Sequence, residues 1–302
     1  RMFITDSLKV LKSRGPEINI NIEMIPAIDV IKAVLDGRIQ TGVAPVLTKN
    51  PNLNYIHLYD ELLELIALHD ASNIAAVIVE PMAGSAGVIP PPKGYLKRLR
   101  EICTQHNILL IFDEVITGFG RMGSWTGAEE FGVVPDMINV AKQLTNGAVP
   151  MGAVIVKNEI YQTFMDNGGP EYMMEIPHGY TYSGHPVACA AALASLDVLE
   201  NDKLIPRVRE MSKIFEESFH GLKGTRYISD IRNYGLAGGL TIESAPGEPA
   251  LRPYQIAMKC WEKGFYVRYG GDTIQLGLPF IVEREEIDNV VNAIGESILE
   301  LD

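Results

Sequence analysis

Two polar residues close successive apolar runs: Asp113 ends I-L-L-I-F-D and Lys142 ends M-I-N-V-A-K. The first, from Ile108, is a continuous apolar run of the kind that reads as a strand buried on both faces, and the second reads as a further strand. In open α/β sheets, ligands bind just beyond the carboxyl ends of such strands, so an acid and a lysine there can hold one ligand between them. The pair suits a pyridine-type cofactor, with lysine as the imine-forming amine and the carboxylate keeping the ring nitrogen protonated. On spacing alone a blander account stands beside this one, since strand-end aspartates form turns and lone lysines are solvated. Other chemistries find less support. The six histidines show no H-E-x-x-H or other metal-ligand spacing, so no metal site is expected. No G-x-S-x-G marks a nucleophilic serine. G-F-G-R-M-G (Gly118 to Gly123) is a poor dinucleotide fingerprint, because no acid follows it at the right place.

The elements that must position these residues alternate. Ile74 to Pro81 is a β-rich run closed by proline. Pro90 to Pro92 bar a helix until Gly94, after which Tyr95, Leu96, Leu99 and Ile102 fall on one helical face. Ile108 to Glu114, Met137 to Ala141 and Ala153 to Val156 read as further strands, and His185 to Glu200 as a long Ala-rich helix. Alternation of this kind predicts a mainly parallel sheet covered by helices. The C-terminal third reads as helix (Pro206 to His220), strands (Tyr227 to Ile231, Leu236 to Ile242), helix (Tyr254 to Lys263), strands (Phe265 to Arg268, Thr273 to Leu276) and a last helix from Glu283. The first 60 residues read as helix (Asp6 to Arg14), strand (Ile18 to Ile25), helix (Ala27 to Gly37) and strand (Gln40 to Val46). The expected division is 1–60, 61–200 and 201–302.

A length of 302 residues allows about two domains at roughly 150 residues each. The net charge of −12 argues against a partner recognised through its phosphate backbone, which needs clustered Lys and Arg. The apolar runs are too short to cross a membrane, and no basic-then-apolar leader opens the chain. Cys103, Cys189 and Cys260 lie too far apart for a CxxC metal pattern and form an odd set for disulfides. A reduced, cytoplasmic setting is therefore expected.

Four motifs occur in order: V-E-P-M-A-G-S-A-G-V (Val79 to Val88), F-D-E-V-I-T-G-F-G-R (Phe112 to Arg121), P-D-M-I-N-V-A-K (Pro135 to Lys142) and H-G-Y-T-Y-S-G-H-P-V-A-C-A-A (His178 to Ala191). Together they resemble the class III pyridoxal-phosphate aminotransferases of fold type I. A-L-H-D-A-S-N-I-A-A-V-I-V-E-P and G-F-Y-V-R-Y-G-G-D-T are most similar to the branch acting between ω-amino acids such as β-alanine and pyruvate. The resemblance runs from about Leu62 to Asp302. It implies an α/β fold: part of a fold type I large domain on a mainly parallel sheet, then a C-terminal α+β small domain. The segment ending D-G-R-I-Q-T-G-V-A-P-V, followed by N-P-N-L-N-Y-I-H-L-Y-D-E, is faintly similar to the effector-binding domain of LysR-type regulators.

The aminotransferase resemblance implies roles. Lys142 carries pyridoxal 5′-phosphate and moves the proton, Asp113 pairs with the ring nitrogen and Val115 packs on the ring. Thr181 donates to the cofactor phosphate across a dimer interface, and Arg268 grips the substrate carboxylate as a bidentate fork. Read alone, Thr181 is a strand residue and Arg268 a surface arginine before Gly270 and Gly271. Glu80, before Pro81, is expected to be structural. Ser85 stands where many relatives acting on ornithine or diamines carry glutamate, which implies a pocket for short ω-amino acids with a 2-oxo acid acceptor, pyruvate. A homodimer or higher oligomer is implied. The family's phosphate-cradling Gly/Ser loop and its aromatic-His-Gly motif are missing from residues 1 to 61. Weak cofactor binding and exposed apolar sheet faces are therefore expected. A non-catalytic ligand-binding or regulatory fusion protein, or a mutase or decarboxylase of the same fold, are the alternatives.

Overall fold

Strand β1 (Ala76–Val79) is a run of small and β-branched residues that ends just before Pro81, and β2 (Leu109–Asp113) lies parallel beside it. This description comes from a computed structural model and covers residues 61–176, 179–248 and 250–301. The elements expected before residue 60, with their regulator-like resemblance, lie outside the described residues, as does His178. Between β1 and β2 runs helix α2 (Tyr95–Gln105), which buries Leu96, Leu99, Ile102 and Cys103. It starts after Gly94, whose left-handed backbone (φ 83°) suits glycine. Helix α1 (Glu61–His69) precedes β1, and its Leu62 and Ile66 pack on the same cluster as Leu110 and Phe112.

The first sheet continues through β3 (Met137–Val140), parallel to β2, and closes with β4 (Ala153–Val156), antiparallel to β3. The order is β1-β2-β3-β4. The sheet is mainly parallel, as expected, with an antiparallel edge. A short helix α3 (Gly127–Phe131) lies between β2 and β3, and α4 (Asn158–Asn167) follows β4. Val77, Val79, Leu110 and Phe112 face the α2 side. The opposite face, with Ile78 in register with Ile111 and then Met137, stays more open. Ile78 is 59% exposed and Val154 57%, so the expected apolar exposure is present.

Helices α5 (Pro186–Asn201) and α6 (Leu204–His220) lead to a second sheet of β5 (Ile228–Tyr234), β6 (Ala237–Ile242), β7 (Arg268–Gly270) and β8 (Thr273–Gly277). It is antiparallel throughout, in the order β5-β6-β8-β7. Helix α7 (Leu251–Glu262) sits between β6 and β7, and α8 (Arg284–Leu299) ends the fold behind a capping box of Glu283 and Glu286. The core here joins Phe215 and Phe219, stacked at 4.9 Å, to Leu240, Ile242, Ile256, Ile274, Ile287 and Ile294. Burying side chains of this size contributes about 1.5–3 kcal/mol each. The strand expected at Phe265 to Arg268 begins instead at Arg268. Phe265 and Val267 alternate like strand residues, but Phe265 donates its N–H to the Cys260 carbonyl at the end of α7, and Val267 is buried in the core. Both sheets belong to one compact unit, Glu61–Asp302.

Asp136, just before β3, ties the first sheet to its flanks. Its carboxylate accepts from the Leu110 N–H (2.7 Å), the Arg100 guanidinium (2.6 Å) and the Lys157 ammonium (2.7 Å). Burial pushes the carboxyl up, but these three donors outweigh it and hold the group below the ordinary aspartate range. A depressed acid contributes stability above its unfolded value of about 3.9, and that contribution is lost as pH falls through the lower folded value. Asp136→Asn is expected to cost on the order of 3 kcal/mol at neutral pH, by stranding two partly covered cations. Urea denaturation at a series of pH values should show the gap from the parent chain narrowing in acid. A gap that stays constant down to the acid limit would contradict this role.

Candidate active site

Asp113 is the last residue of β2, and it pairs in register with Asn139 of the parallel neighbour β3. Lys142 follows two residues after β3 ends at Val140, so both lie at the same carboxyl edge of adjacent strands. The half-buried Asp113 carboxylate accepts the Val115 N–H at 3.1 Å, which fixes Val115 directly beyond it. Lys142 is exposed, and its side chain makes no hydrogen bond or ion pair among the described residues. Its backbone is left-handed, φ 42°, a conformation uncommon outside glycine that Lys203 and Tyr227 share here and that persists where the surrounding structure over-determines it. The surrounding packing holds it there. Lys142 opens a 3-10 turn (Lys142–Leu144) whose Leu144 is buried with Val140 and Ala192. Ser195 of α5 donates its hydroxyl to the Gln143 carbonyl at 3.2 Å. The small residues of α5 let the helix approach this turn closely.

The residue after Asp113 was not singled out by sequence. Glu114 is fully buried, and its carboxylate accepts the N–H groups of Gly127 (2.5 Å) and Ala128 (3.0 Å) and the Thr117 hydroxyl (3.0 Å). Burial pushes its carboxyl above the usual range against these bonds. Glu114 thereby pins the first turn of α3 to the end of β2, and anchors the loop that leaves Asp113. Arg121, in the same F-G-R stretch, reaches the second sheet. Its guanidinium donates to the carbonyls of Leu236 (3.2 Å) and Leu278 (2.6 Å) and lies 4.8 Å from the centre of the Phe280 ring. Burial lowers its pKa to about 10. Gly235 is required beside it, because a Cβ there would strike the Arg121 carbonyl.

The G-S-A-G loop after β1 also reaches the second sheet. Arg232, Gly239, Gln275 and Arg268 form one row across β5, β6, β8 and β7, each in register with the next. Register pairs share a face, and the neighbouring Leu240, Ile274 and Leu276 point to the helices. The loop lies on this row. Gly87 accepts from Arg232 Nε at 2.8 Å, and Ser85 accepts from Gln275 Nε2 at 3.2 Å. Gly239 has no side chain where Gly87 comes closest, and a Cβ there would meet the Gly87 carbonyl oxygen. Arg268 stands at the end of the row, exposed, with no carboxylate oxygen within ion-pairing distance among the described residues. With Gln275, Tyr266 and Leu278 it lines a cavity of about 390 Å³. Glu80 is structural as expected, accepting the Gly84 N–H at 3.0 Å.

The structure thus places Asp113, Val115 and Lys142 at one edge of the first sheet, and Arg268 on the second. Thr181 is apart from both, in an exposed turn ahead of α5 rather than in a strand. The turn is closed by the Ser183 N–H to the Tyr180 carbonyl at 2.9 Å; Gly184, left-handed at φ 69°, ends it.

The family profile for "Aminotransferase class-III" matches residues 39–298. The chain belongs to the class III aminotransferases. The match begins within the first 60 residues, upstream of the start expected near Leu62. The β-alanine–pyruvate aminotransferase of Pseudomonas aeruginosa is 61% identical over 243 residues, covering 80% of this chain and 54% of that protein. The ω-amino acid–pyruvate aminotransferase of Pseudomonas putida is 58% identical over 251 residues, covering 83% and 56%. The chain spans about half the length of the curated relatives it matches. Among solved structures, an amine transaminase from an uncultivated Pseudomonas species, in its PLP-bound form, superposes with a TM-score of 0.74 at 39% identity, covering 79% of this chain and 55% of that one. A fold type I architecture follows.

In this class III chain the seat of the G-S-A-G loop should be measurable. Gly239→Ala puts a methyl group against the Gly87 carbonyl, an overpacking expected to cost about 1–3 kcal/mol. The N–H groups of Gly87 and Val88, both bonded to the Gly84 carbonyl, should exchange with solvent faster in this variant, while those of β2 hold their parent rates. Unchanged exchange at both positions would show that the loop does not rest on Gly239.

Proposed function

We propose that this chain serves pyridoxal-phosphate-dependent transamination from an ω-amino acid such as β-alanine, or from an amine, to pyruvate. One observation carries the reading: an aspartate ends β2 and, two residues past the end of the parallel neighbour β3, stands a lysine whose side chain has no hydrogen-bond or ion-pair partner among the described residues, both at one sheet edge. The names of the two Pseudomonas relatives support the substrate pair. The donor set fits the cofactor. Lys142 supplies a primary amine and Asp113 a carboxylate directed by the Val115 N–H. When bound, pyridoxal phosphate supplies the electron sink for a carbanion at the reacting carbon.

The chain's own groups divide the remaining work. Lys142 would hold the cofactor through its amine and would move a proton to and from the reacting carbon. Asp113 would keep the ring nitrogen protonated. Val115 would pack on the ring, and Arg268 would bind the substrate carboxylate through its planar fork. Thr181, exposed and remote from Asp113 in sequence, serves a cofactor held by a second copy, so a homodimer or higher oligomer completes the site. Ser85 leaves Arg268 without an internal acid and keeps the pocket suited to short substrates. The three free cysteines accord with a cytoplasmic setting. Among the described residues no helix is long and apolar enough to cross a membrane, and no cluster of metal-ligating side chains is found.

Borohydride reduction in the presence of millimolar pyridoxal phosphate, followed by peptide mass mapping, tests the assignment. A pyridoxyl adduct on Lys142 is expected, suppressed in Asp113→Asn because the ring is no longer oriented. An adduct on Lys157 or Lys203 in place of Lys142 would contradict it.

A further inference from the structure

The row on the second sheet contains two arginines with opposite fates. Arg232, at the β5 end, is spent internally: its guanidinium donates to the Asp230 carboxylate (2.7 Å), the Thr241 hydroxyl (2.7 Å) and the Gly87 carbonyl (2.8 Å). Arg268, at the β7 end, has no such partner among the described residues. The residue directly opposite Arg268 is Gln275, whose side chain stands on the same face and is largely buried. Its amide nitrogen is used on Ser85, 190 residues away in sequence, while its amide oxygen carries no charge to oppose a guanidinium. The acid among the residues that line the cavity, Glu286, accepts the Glu283 N–H at 2.8 Å in the α8 capping box.

We propose that Gln275 is a positioning and specificity-determining residue for carboxylate recognition: it anchors Ser85 beside Arg268 and, being neutral, leaves the Arg268 charge free for a ligand carboxylate. The inference rests on the reading of Arg268 as the carboxylate-binding group. A glutamate at this position would be nearly isosteric, but it would lose the amide donor to the Ser85 carbonyl and would set a carboxylate directly across the ladder from Arg268. Opposite charges paired across strands attract, so the sheet would satisfy its own arginine. An alanine would remove the Ser85 anchor and leave the charge uncompensated. Both substitutions lose the Ser85 anchor, so the difference between them isolates the effect of the charge.

The test uses the full chain and propionate, a plain monocarboxylate, with the Arg268 Nε–H followed by ¹H–¹⁵N NMR and assigned through Arg268→Lys. Propionate should shift the parent signal saturably. Gln275→Glu should weaken the apparent affinity at least about tenfold, and Gln275→Ala by only about threefold. Equal losses in both variants would mean that Gln275 is a brace alone, and an unchanged affinity in Gln275→Glu would mean that it has no part; either overturns the proposal. A saturable Arg268 shift accompanied by either result leaves the Arg268 reading intact. Absence of any Arg268 shift in the parent chain would instead overturn that reading, and this inference with it.

Discussion

The seating of the G-S-A-G loop on the second sheet is the contact on which the candidate site depends. That loop leaves β1, in the sheet that carries Asp113 and Lys142, and lands on the row Arg232–Gly239–Gln275 in the sheet that carries Arg268. The bonds are side chain to backbone carbonyl, so they set position without demanding a loop of particular side chains. Arg121 adds a second tie of the same kind, from the loop after β2 to the Leu236 and Leu278 carbonyls. Hydrogen bonds from charged donors are worth about 1.5–3 kcal/mol each, enough for two such ties to resist separation of the sheets. The spacing between the edge that carries Asp113 and Lys142 and the strand that carries Arg268 is thereby a property of four named bonds.

The acids around the first sheet show a division of labour set by partners rather than by position in the sequence. Glu114 and Asp136 are buried and fully engaged, one on the first turn of α3, the other on a strand N–H and two cations. Asp113 lies one residue from Glu114 on the opposite side of the strand, as alternation requires, and accepts only a neighbouring N–H. The carboxylate with capacity to spare is the one at the open edge. Lys142 is kept in a left-handed conformation by the packing of Leu144 and the Ser195 hydrogen bond, so its placement is charged to α5 and not to its own neighbours in sequence.

Much of this was legible from residue types. The largely apolar runs ending in Asp113 and Lys142 located the strands and the edge, and the Pro90 to Pro92 block and Gly94 located the start of α2. The alternation Thr273-Ile274-Gln275-Leu276 announced a strand with one core face and one polar face, matching β8. What escaped was whatever depended on a distant partner. Arg268 was read as ending a strand, yet pairing with Gln275 makes it the first residue of β7. Gln275 and Gly239 carried no local signal, because their meaning comes from the G-S-A-G loop far earlier in the chain, whose Ser85 lies 190 residues before Gln275. Glu114 was hidden by adjacency to Asp113: nothing in D-E tells which acid is buried until α3 packs. The short helix α3 and the solvent-exposed α4 were missed as well, for neither buries the regular apolar stripe that marks a helix.

The central claim is that Asp113 and Lys142 act on one ring, the lysine as its covalent anchor and the aspartate as the keeper of its proton. The most direct measurement is the ¹⁵N chemical shift of pyridoxal phosphate labelled at the ring nitrogen and bound to this chain, in the parent and in Asp113→Asn. A protonated ring nitrogen at neutral pH in the parent, and an unprotonated one in the variant, is the predicted result. The same shift in both proteins, with the cofactor still bound through Lys142, would contradict the account.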